Sequence, residues 1–142
     1  MAILENILSQ EVLRILKREY EIFTEVPLYN RCIDAVLLKG DELITIEFKI
    51  KDWRRGVRQI KTHLLAADYS YLCMPERKIP PELIDMLSKI GAGLWLLNIE
   101  NKKIIEPLAP QRSFIQQPVL KEKILKYLPR EEGESGYTQA FY

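Results

Sequence analysis

The chain has 142 residues and a formal net charge of +1, with 21 Lys and Arg against 20 Asp and Glu. This balance gives no sign of a protein that binds nucleic acid through overall positive charge. No apolar run approaches the roughly 18 residues needed to cross a bilayer, and two cysteines are too few for a disulfide framework. We expect a cytoplasmic protein with one domain at residues 1–128 and a flexible tail at residues 129–142.

The first predicted element is a helix over Ile3–Tyr20, where apolar residues recur at helical spacing without an interior Pro or Gly. At 100° per residue, Glu11 falls on the inward side of this apolar stripe, between Leu4 and Ile7. Glu19 also projects near the stripe, but it lies at the helix end, where it reaches solvent easily. Glu11 is therefore preferred as an acid that reaches the sheet, and a partly exposed helix charge is the alternative.

Two apolar runs then flank Gly40 and Asp41, which form a two-residue hairpin signal. In that register the numbers of facing residues add up to 81, so Asp34 lies opposite Glu47. Their Cβ atoms are then about 4.5 to 5.5 Å apart. Alternate residues share a face, which places Lys49 on the side of Glu47. The hairpin thus brings two carboxylates and an ammonium together.

The second face of this hairpin is apolar, and the charged face also becomes apolar toward the turn. This pattern indicates a central strand pair that is buried on both faces. The second face consists of Ile33, Ala35, Leu37, Ile44, Ile46, Phe48 and Ile50.

Two like charges in a buried position are costly unless a cation compensates them. Oxygen ligands suit Mg²⁺ or Mn²⁺, and Mg²⁺ takes only one or two protein carboxylates. Lys49 beside such an ion can orient or deprotonate an attacking water, or offset charge on a phosphate. The hairpin therefore predicts a metal site at Asp34 and Glu47, and a solvated surface hairpin is the alternative.

A second helix is predicted over 52–67, with Asp52 as its N-cap. Arg55, Gln59 and His63 lie at i, i+4 and i+8 and form one polar stripe on this helix. Trp53, near its start, is predicted either to stack on an unpaired base or to pack on the core.

The segment from Lys49 to Lys61 contains six cationic residues and a single acid, Asp52. Phosphate contacts depend on such local cations, so we expect a nucleic-acid surface beside the acids. Its cations are Lys49, Lys51, Arg54, Arg55, Arg58 and Lys61.

The remaining elements supply scaffold. They are a strand at Tyr69–Met74, a helix at Pro81–Ile90, a hairpin of Ala92–Ile99 and Lys103–Leu108, an extended connector at 109–118 and a short helix at Lys121–Tyr127. Cys32 and Cys73 are predicted to be buried on strands.

Asp34 followed by Glu47-Phe48-Lys49 resembles the signature of the PD-(D/E)XK nuclease superfamily, an acid on one strand and acid-X-Lys on the next. The likeness covers positions from about 11 to 75, and Ile33 stands where the family name has proline. The resemblance implies an α/β, restriction-endonuclease-like fold, a mixed central sheet flanked by helices (α-βββ-α-β, then helix, hairpin and short helix). Such proteins are similar to Holliday-junction resolvases and RecB-like nucleases.

The activity that this resemblance implies is Mg²⁺-dependent hydrolysis of phosphodiesters, with Mn²⁺ as the other candidate ion. Asp34 and Glu47 would hold the metal with the backbone carbonyl of Phe48, and Lys49 would position the water. Glu11 would supply the acid that family members often carry on the first helix, acting on metal or water.

Two positions on the second helix are also implied. RecB-like members carry Gln and, four residues on, Tyr; this chain has Gln59 and then His63. Gln59 would steady the lysine or the phosphate, and His63 is kept as a substrate contact. A lone His is more often structural.

Three alternatives remain open. The chain could be a non-catalytic nucleic-acid-binding or assembly module that has kept the fold, or its target could be RNA in place of DNA. A homodimer or a partner protein is also plausible, because one site cuts one strand.

Overall fold

Ten secondary-structure elements follow one another along residues 3–129, the part of the chain that the computed structural model describes. Their order is the one predicted: helix, three strands, helix, strand, helix, two strands, helix. They are α1 (Glu5–Leu16), β1 (Glu21–Leu28), β2 (Arg31–Lys39), β3 (Glu42–Phe48), α2 (Trp53–His63), β4 (Tyr69–Pro75), α3 (Pro81–Ile90), β5 (Gly93–Asn98), β6 (Lys103–Leu108) and α4 (Pro118–Tyr127).

The six strands form one sheet in the order β1-β2-β3-β4-β5-β6. The pairs β1–β2, β2–β3 and β5–β6 are antiparallel, whereas β3–β4 and β4–β5 are parallel. The parallel pairs arise because α2 and α3 carry the chain back across the sheet before β4 and β5. The protein is thus a mixed α/β fold whose mixed sheet is flanked by helices, which confirms the fold class at this level.

The hairpin between β2 and β3 has the predicted register, in which Lys39 pairs with Glu42 and Ala35 with Ile46. Gly40 adopts a left-handed backbone with φ of 59°, which a two-residue turn of this kind requires and which glycine adopts without strain. The turn geometry and the apolar pattern of β2 and β3 together select one register.

The helices cover both faces of the sheet. α1 packs through Leu8 and Val12 on one face, in a cluster that includes Phe48. On the other face, α2 and α3 cover β4 and β5, and α4 covers the β1–β2–β3 end. Residues next to each other on a strand therefore face different helices, and Glu47 points to the α2 side while Phe48 points to α1.

Helix boundaries follow local chemistry. Asp52 caps α2 by accepting a hydrogen bond from the backbone N–H of Arg55, and α3 begins at Pro81 and ends before Gly91, whose φ is 79°. α1 ends at Leu16, earlier than predicted, because residues 17–20 turn the chain into β1.

Three further predictions concern the two cysteines, the C-terminal tail and membrane-spanning helices. Cys73 is buried as predicted, but Cys32 is exposed because it lies near the start of β2, beside the edge strand β1. From residue 130 onward, the predicted tail lies outside the described residues. Among residues 3–129, no helix has the length and apolarity required to cross a membrane.

Candidate active site

The two predicted carboxylates meet where β2 and β3 leave their ladder. The outermost pair of that ladder is Ala35 with Ile46, so the next residues outward are Asp34 and Glu47. The backbone N–H of Phe48 donates to Oδ2 of Asp34 at 2.9 Å. This hydrogen bond holds the Asp34 carboxylate beside the end of β3, where Glu47 is 1% exposed.

Asp34 also lies at an irregularity in the sheet. Glu25, the residue of β1 nearest to it in register, has a positive φ of 54°, and the two are skipped in an otherwise regular ladder. Ile33 and Ala35 pack in core clusters on opposite faces. The expectation that Ile33 and Ala35 share one face of the sheet is wrong, because the alternation of side chains along β2 is interrupted at Asp34. Asp34 can therefore border both sides of the sheet.

Electrostatics distinguishes the two carboxyls. Burial raises the pKa of Glu47 to about 8, the nearby charge of Asp34 adds to this rise, and Lys49 opposes it. Oε1 of Glu47 is buried and has no hydrogen-bond partner within residues 3–129. A buried carboxylate with an unpartnered oxygen is costly, so this group favours a proton or a cation.

Lys49 and His63 flank Glu47. The Nζ atom of Lys49 lies 3.7 Å from Oε2 of Glu47, and Nε2 of His63 lies 3.7 Å from its Oε1. Burial lowers the pKa of His63 to about 4, so the imidazole is neutral at pH 7. Its Nδ1 is buried without a partner in the described chain. Lys49 is therefore the cation beside Glu47.

Gly56 makes room for Lys49. A Cβ atom at Gly56 would lie 2.8 Å from Cδ1 of Leu72 and 2.9 Å from Cγ of Lys49, closer than real Cβ contacts. Glycine inside a helix usually costs about 1 kcal/mol relative to alanine. Here it lets the stem of Lys49 lie directly against α2, so the sequence keeps a poor helix former at the site.

Gly56→Ala is therefore expected to lower the free energy of unfolding by about 1 kcal/mol, since crowding of roughly 1–3 kcal/mol outweighs the propensity gain. Urea denaturation measures the change. Ser88→Ala, at an exposed position of α3, is the control and should stabilise slightly. Stabilisation of the Gly56 variant by the full propensity gain would mean that Lys49 does not need this contact.

Gln59 lies one helical turn before His63 and borders a cavity of about 510 Å³ between α2 and the start of β2. The Oε1 atom of Gln59 is buried and lacks a hydrogen-bond partner among the described residues. We call the cavity between α2 and the start of β2 the arginine cavity; it is lined by Arg31, Asp52, Arg55, Arg58, Gln59 and Thr62. Arg31 was missed by sequence reasoning because it precedes α2 by more than twenty positions.

The other predicted nucleic-acid contacts are placed differently. Trp53 is 7% exposed, packs in the core under α2 and α3, and has the guanidinium of Arg54 4.3 Å from its ring centroid. Its packing supports the core alternative and not base stacking. Arg54 pairs with Glu82 of α3 at 2.6 Å, whereas Lys51 and Lys61 are exposed.

Glu11 does not join the carboxylate pair through any contact that the structure records. α1 buries the line of Leu8 and Val12, and the Glu11 side chain lies beside this line and is mostly covered, with 18% exposed. Glu11 pairs with Lys102 in the β5–β6 turn and with Arg14, each at 3.1 Å, and the hydrogen bond from Lys102 is the largest influence lowering its pKa. Leu4 and Ile7, which guided the inward assignment, are exposed, so the buried stripe of α1 is narrower than predicted, and the role of Glu11 stays a prediction.

A different acid of α1 shares a cavity with Asp34. Glu5 borders a cavity of about 390 Å³ that also reaches Asp34, and its charge contributes weakly to the raised pKa of Glu47. The helix predicted over Ile3–Tyr20 contains Glu5, but Glu5 was not singled out there. Its position three residues before Leu8 and seven before Val12, on the buried line of α1, was the available signal. We call this space the α1 cavity; it is lined by Glu5, Asn6, Ser9, Gln10, Leu13, Thr24, Glu25, Asp34 and Phe48.

The donor set at this point fits a hard cation in its chemistry. Asp34 and Glu47 offer two carboxylates, the number that Mg²⁺ commonly takes, and the unpartnered Oε1 of Glu47 is an available ligand atom. Within residues 3–129, however, no three or more His, Cys, Asp or Glu side chains converge to enclose an ion. The site therefore suits a metal that keeps water or substrate oxygens as ligands.

Solved structures offer two similarities. A protein of unknown function from Silicibacter pomeroyi, SPO1766, is similar with a TM-score of 0.62 and 18% identity, over 87% of this chain and 83% of that one. The structure of Pyrococcus furiosus SfsA in complex with Ca²⁺ is similar with a TM-score of 0.41 and 13% identity, over 75% and 61%. Neither a family model nor a curated protein matches the chain. At 18% identity, the first similarity supports the fold alone.

Proposed function

We propose that this protein is a metal-dependent nuclease of the restriction-endonuclease-like fold that hydrolyses phosphodiester bonds, with DNA as the favoured target. The observation that carries the proposal is the convergence of Asp34, Glu47 and Lys49 at one end of the β2–β3 hairpin. Two buried or half-buried carboxylates beside a lysine are costly for stability, and strongly perturbed carboxyls cluster at functional sites.

Asp34, Glu47 and the backbone carbonyl of Phe48 would hold Mg²⁺ or Mn²⁺. When bound, such an ion lowers the pKa of water and polarises a phosphoryl oxygen. The N–H of Phe48 fixes one oxygen of Asp34, which leaves its other carboxylate oxygen as a ligand atom. Burial keeps water from screening the Glu47 charge, so its attraction to a cation is strengthened.

Lys49 is placed to orient the attacking water or to offset negative charge on the phosphate. Its amine lies close to Glu47, and Gly56 holds its stem against α2. His63 is neutral at pH 7, so it would accept or donate a hydrogen bond and would not supply charge to the phosphate. Gln59, one turn earlier, borders the space where the substrate strand would lie.

The test is incubation of purified protein with labelled single-stranded, duplex, flap and junction DNA and the matching RNAs, each with Mg²⁺, Mn²⁺ or EDTA. Cleavage with either metal and none in EDTA is the expected result, because the two carboxylates bind substrate phosphate only through a cation. Restoration of cutting when excess Mg²⁺ follows EDTA is the control for irreversible damage. Cleavage that persists in EDTA would exclude this mechanism.

A second candidate is a nucleic-acid-binding module without catalysis, in which the arginine cavity binds phosphate and Glu47 stays protonated. Within residues 3–129, no group of three or more His, Cys, Asp or Glu side chains is arranged to hold a metal ion, and this favours the second candidate. It is distinguished by binding that survives EDTA together with intact substrates throughout the panel. If RNA alone is cut, the nuclease proposal holds and DNA is the wrong substrate.

A further inference from the structure

The arginine cavity carries more positive charge than its immediate acids balance. Arg31, Arg55 and Arg58 border it against one acid, Asp52, and no ion pair is recorded for the three guanidiniums in the described chain. Asp52 already accepts the N–H of Arg55 to cap α2. The net charge of the residues that line the cavity is therefore about +2, from three cations and one anion.

The net charge of the arginine cavity suits a terminal phosphate, which is a phosphate monoester. A phosphate monoester carries about −1.5 to −2 at pH 7, whereas each internal phosphodiester carries one negative charge. Guanidinium groups bind phosphate oxygens through paired hydrogen bonds. Three arginines with one acid thus match a terminal phosphate better than they match an internal one.

The volume limits what enters. A cavity of about 510 Å³ lies within the roughly 300–1,000 Å³ range of small-molecule sites, so it has room for a nucleotide. A duplex, whose major groove alone is about 12 Å wide, could only lie across its mouth. Gln59 borders the cavity, and a rotation of its side chain would bring the unpartnered Oε1 to a sugar hydroxyl or a base amino group.

The position of the cavity links it to the carboxylates. Arg31 precedes Asp34 by three residues on β2, about 10 Å along an extended strand. Gln59 lies one turn of α2, about 6 Å, before His63, and His63 is 3.7 Å from Glu47. A strand end held here would thus pass its neighbouring phosphodiester toward the acidic pair.

We propose that the arginine cavity binds the terminal phosphate and terminal nucleotide of a single nucleic-acid strand. This inference rests on the proposed function and names its substrate class: phosphorylated strand ends. Arg31, Arg55 and Arg58 bind the phosphate, and Gln59 contacts the attached nucleoside.

The test is fluorescence anisotropy in EDTA, where no cutting interferes, with one labelled single-stranded 12-mer in 5′-phosphorylated, 3′-phosphorylated and unphosphorylated forms. One phosphorylated form should bind at least 10-fold more tightly than the unphosphorylated form. Arg31→Gln, Arg55→Gln and Arg58→Gln should each remove most of this preference. Arg77→Gln, the same substitution at an exposed arginine between β4 and α3 and outside the cavity, should retain it.

Equal binding of all three forms would overturn the inference. So would equal loss of preference in the Arg77 variant. Free adenosine monophosphate and inorganic phosphate competing as well as the phosphorylated strand would also overturn it, since the ligand would then be a free nucleotide or phosphate alone. A clear preference for a phosphorylated strand, with no substrate cut, would refute the proposed nuclease activity and support the phosphate-binding site. Cutting of a substrate, with no such preference, would support the nuclease activity and refute the phosphate-binding site.

Discussion

Glu47→Gln is expected to abolish Mg²⁺-dependent cleavage, with a loss of about 10²- to 10³-fold or more. Removing one carboxylate ligand withdraws several kcal/mol of charge stabilisation from the transition state, and each 1.36 kcal/mol is about tenfold in rate. Single-turnover cleavage of the best substrate from the panel measures the effect, and isothermal titration with Mn²⁺ should show the parallel loss of metal binding.

The same variant should keep its fold, and this separates a site effect from unfolding. Because burial raises the pKa of Glu47 to about 8, the metal-free carboxyl is largely protonated at pH 7, and glutamine has nearly the shape and charge of that form. The melting temperature should therefore equal or exceed that of the parent. Glu122→Gln, on the exposed face of α4, is the matched control and should leave cutting unchanged.

Full cleavage by folded Glu47→Gln would exclude Glu47 as a ligand. Loss of cleavage together with a lower melting temperature would instead assign the carboxyl a structural role. Retained binding of the strand by the inactive variant in EDTA would further separate substrate binding from chemistry.

The pairing of Asp34 with Glu47 was predictable because it depends on local sequence. Gly40 and Asp41 set the turn, two apolar runs set the pleat, and together they leave one register. The cap at Asp52 and the end of α3 at Gly91 are local in the same sense. Such features need only the chemistry of adjacent residues.

The placement of Glu11 was not predictable in this way. On α1, the apolar residues form a band wider than the face that becomes buried, and only packing against the sheet selects Leu8 and Val12. The interruption of side-chain alternation at Asp34 lies opposite Glu25 of a neighbouring strand, which has a positive φ. Arg31 lies near the cations of α2 because the start of β2 borders the same cavity, which local patterns do not specify.

Asp68→Ala is expected to produce the largest loss of stability, about 1–3 kcal/mol, because it leaves the buried backbone N–H of Leu43 without an acceptor and removes the anion that Arg112 and Lys121 share. The Asp68 side chain is 3% exposed; it accepts the backbone N–H of Leu43 at 2.8 Å and pairs with Arg112 at 3.1 Å and Lys121 at 2.9 Å. Gln116 donates to it at 3.0 Å. One carboxylate thus joins β3, the 109–117 connector and α4. Urea denaturation at pH 7 measures the loss.

The pH dependence tests whether the charge of Asp68 is responsible. Burial opposes ionisation, but the hydrogen bonds from Leu43, Lys121 and Gln116 outweigh it, so the pKa of Asp68 lies below its ordinary value. A lowered folded-state pKa contributes stability above the unfolded value of about 3.9, and this stability is lost as pH falls toward the folded value. Asp68→Asn should therefore be less stable than the parent at pH 7, and the gap should narrow on acidification below about pH 4.

The matched control for this experiment is Asp85→Asn. Asp85 forms an exposed pair with Lys89 on α3, 3.1 Å apart, and such a pair contributes only about 0.3–0.5 kcal/mol. Its variant should follow the parent closely at every pH. If the Asp68 and Asp85 variants behave alike, the contacts around Asp68 do not hold α4 and the connector to the sheet. If Asp68→Asn loses stability by the same amount at every pH, shape and hydrogen bonding, not charge, hold these elements together.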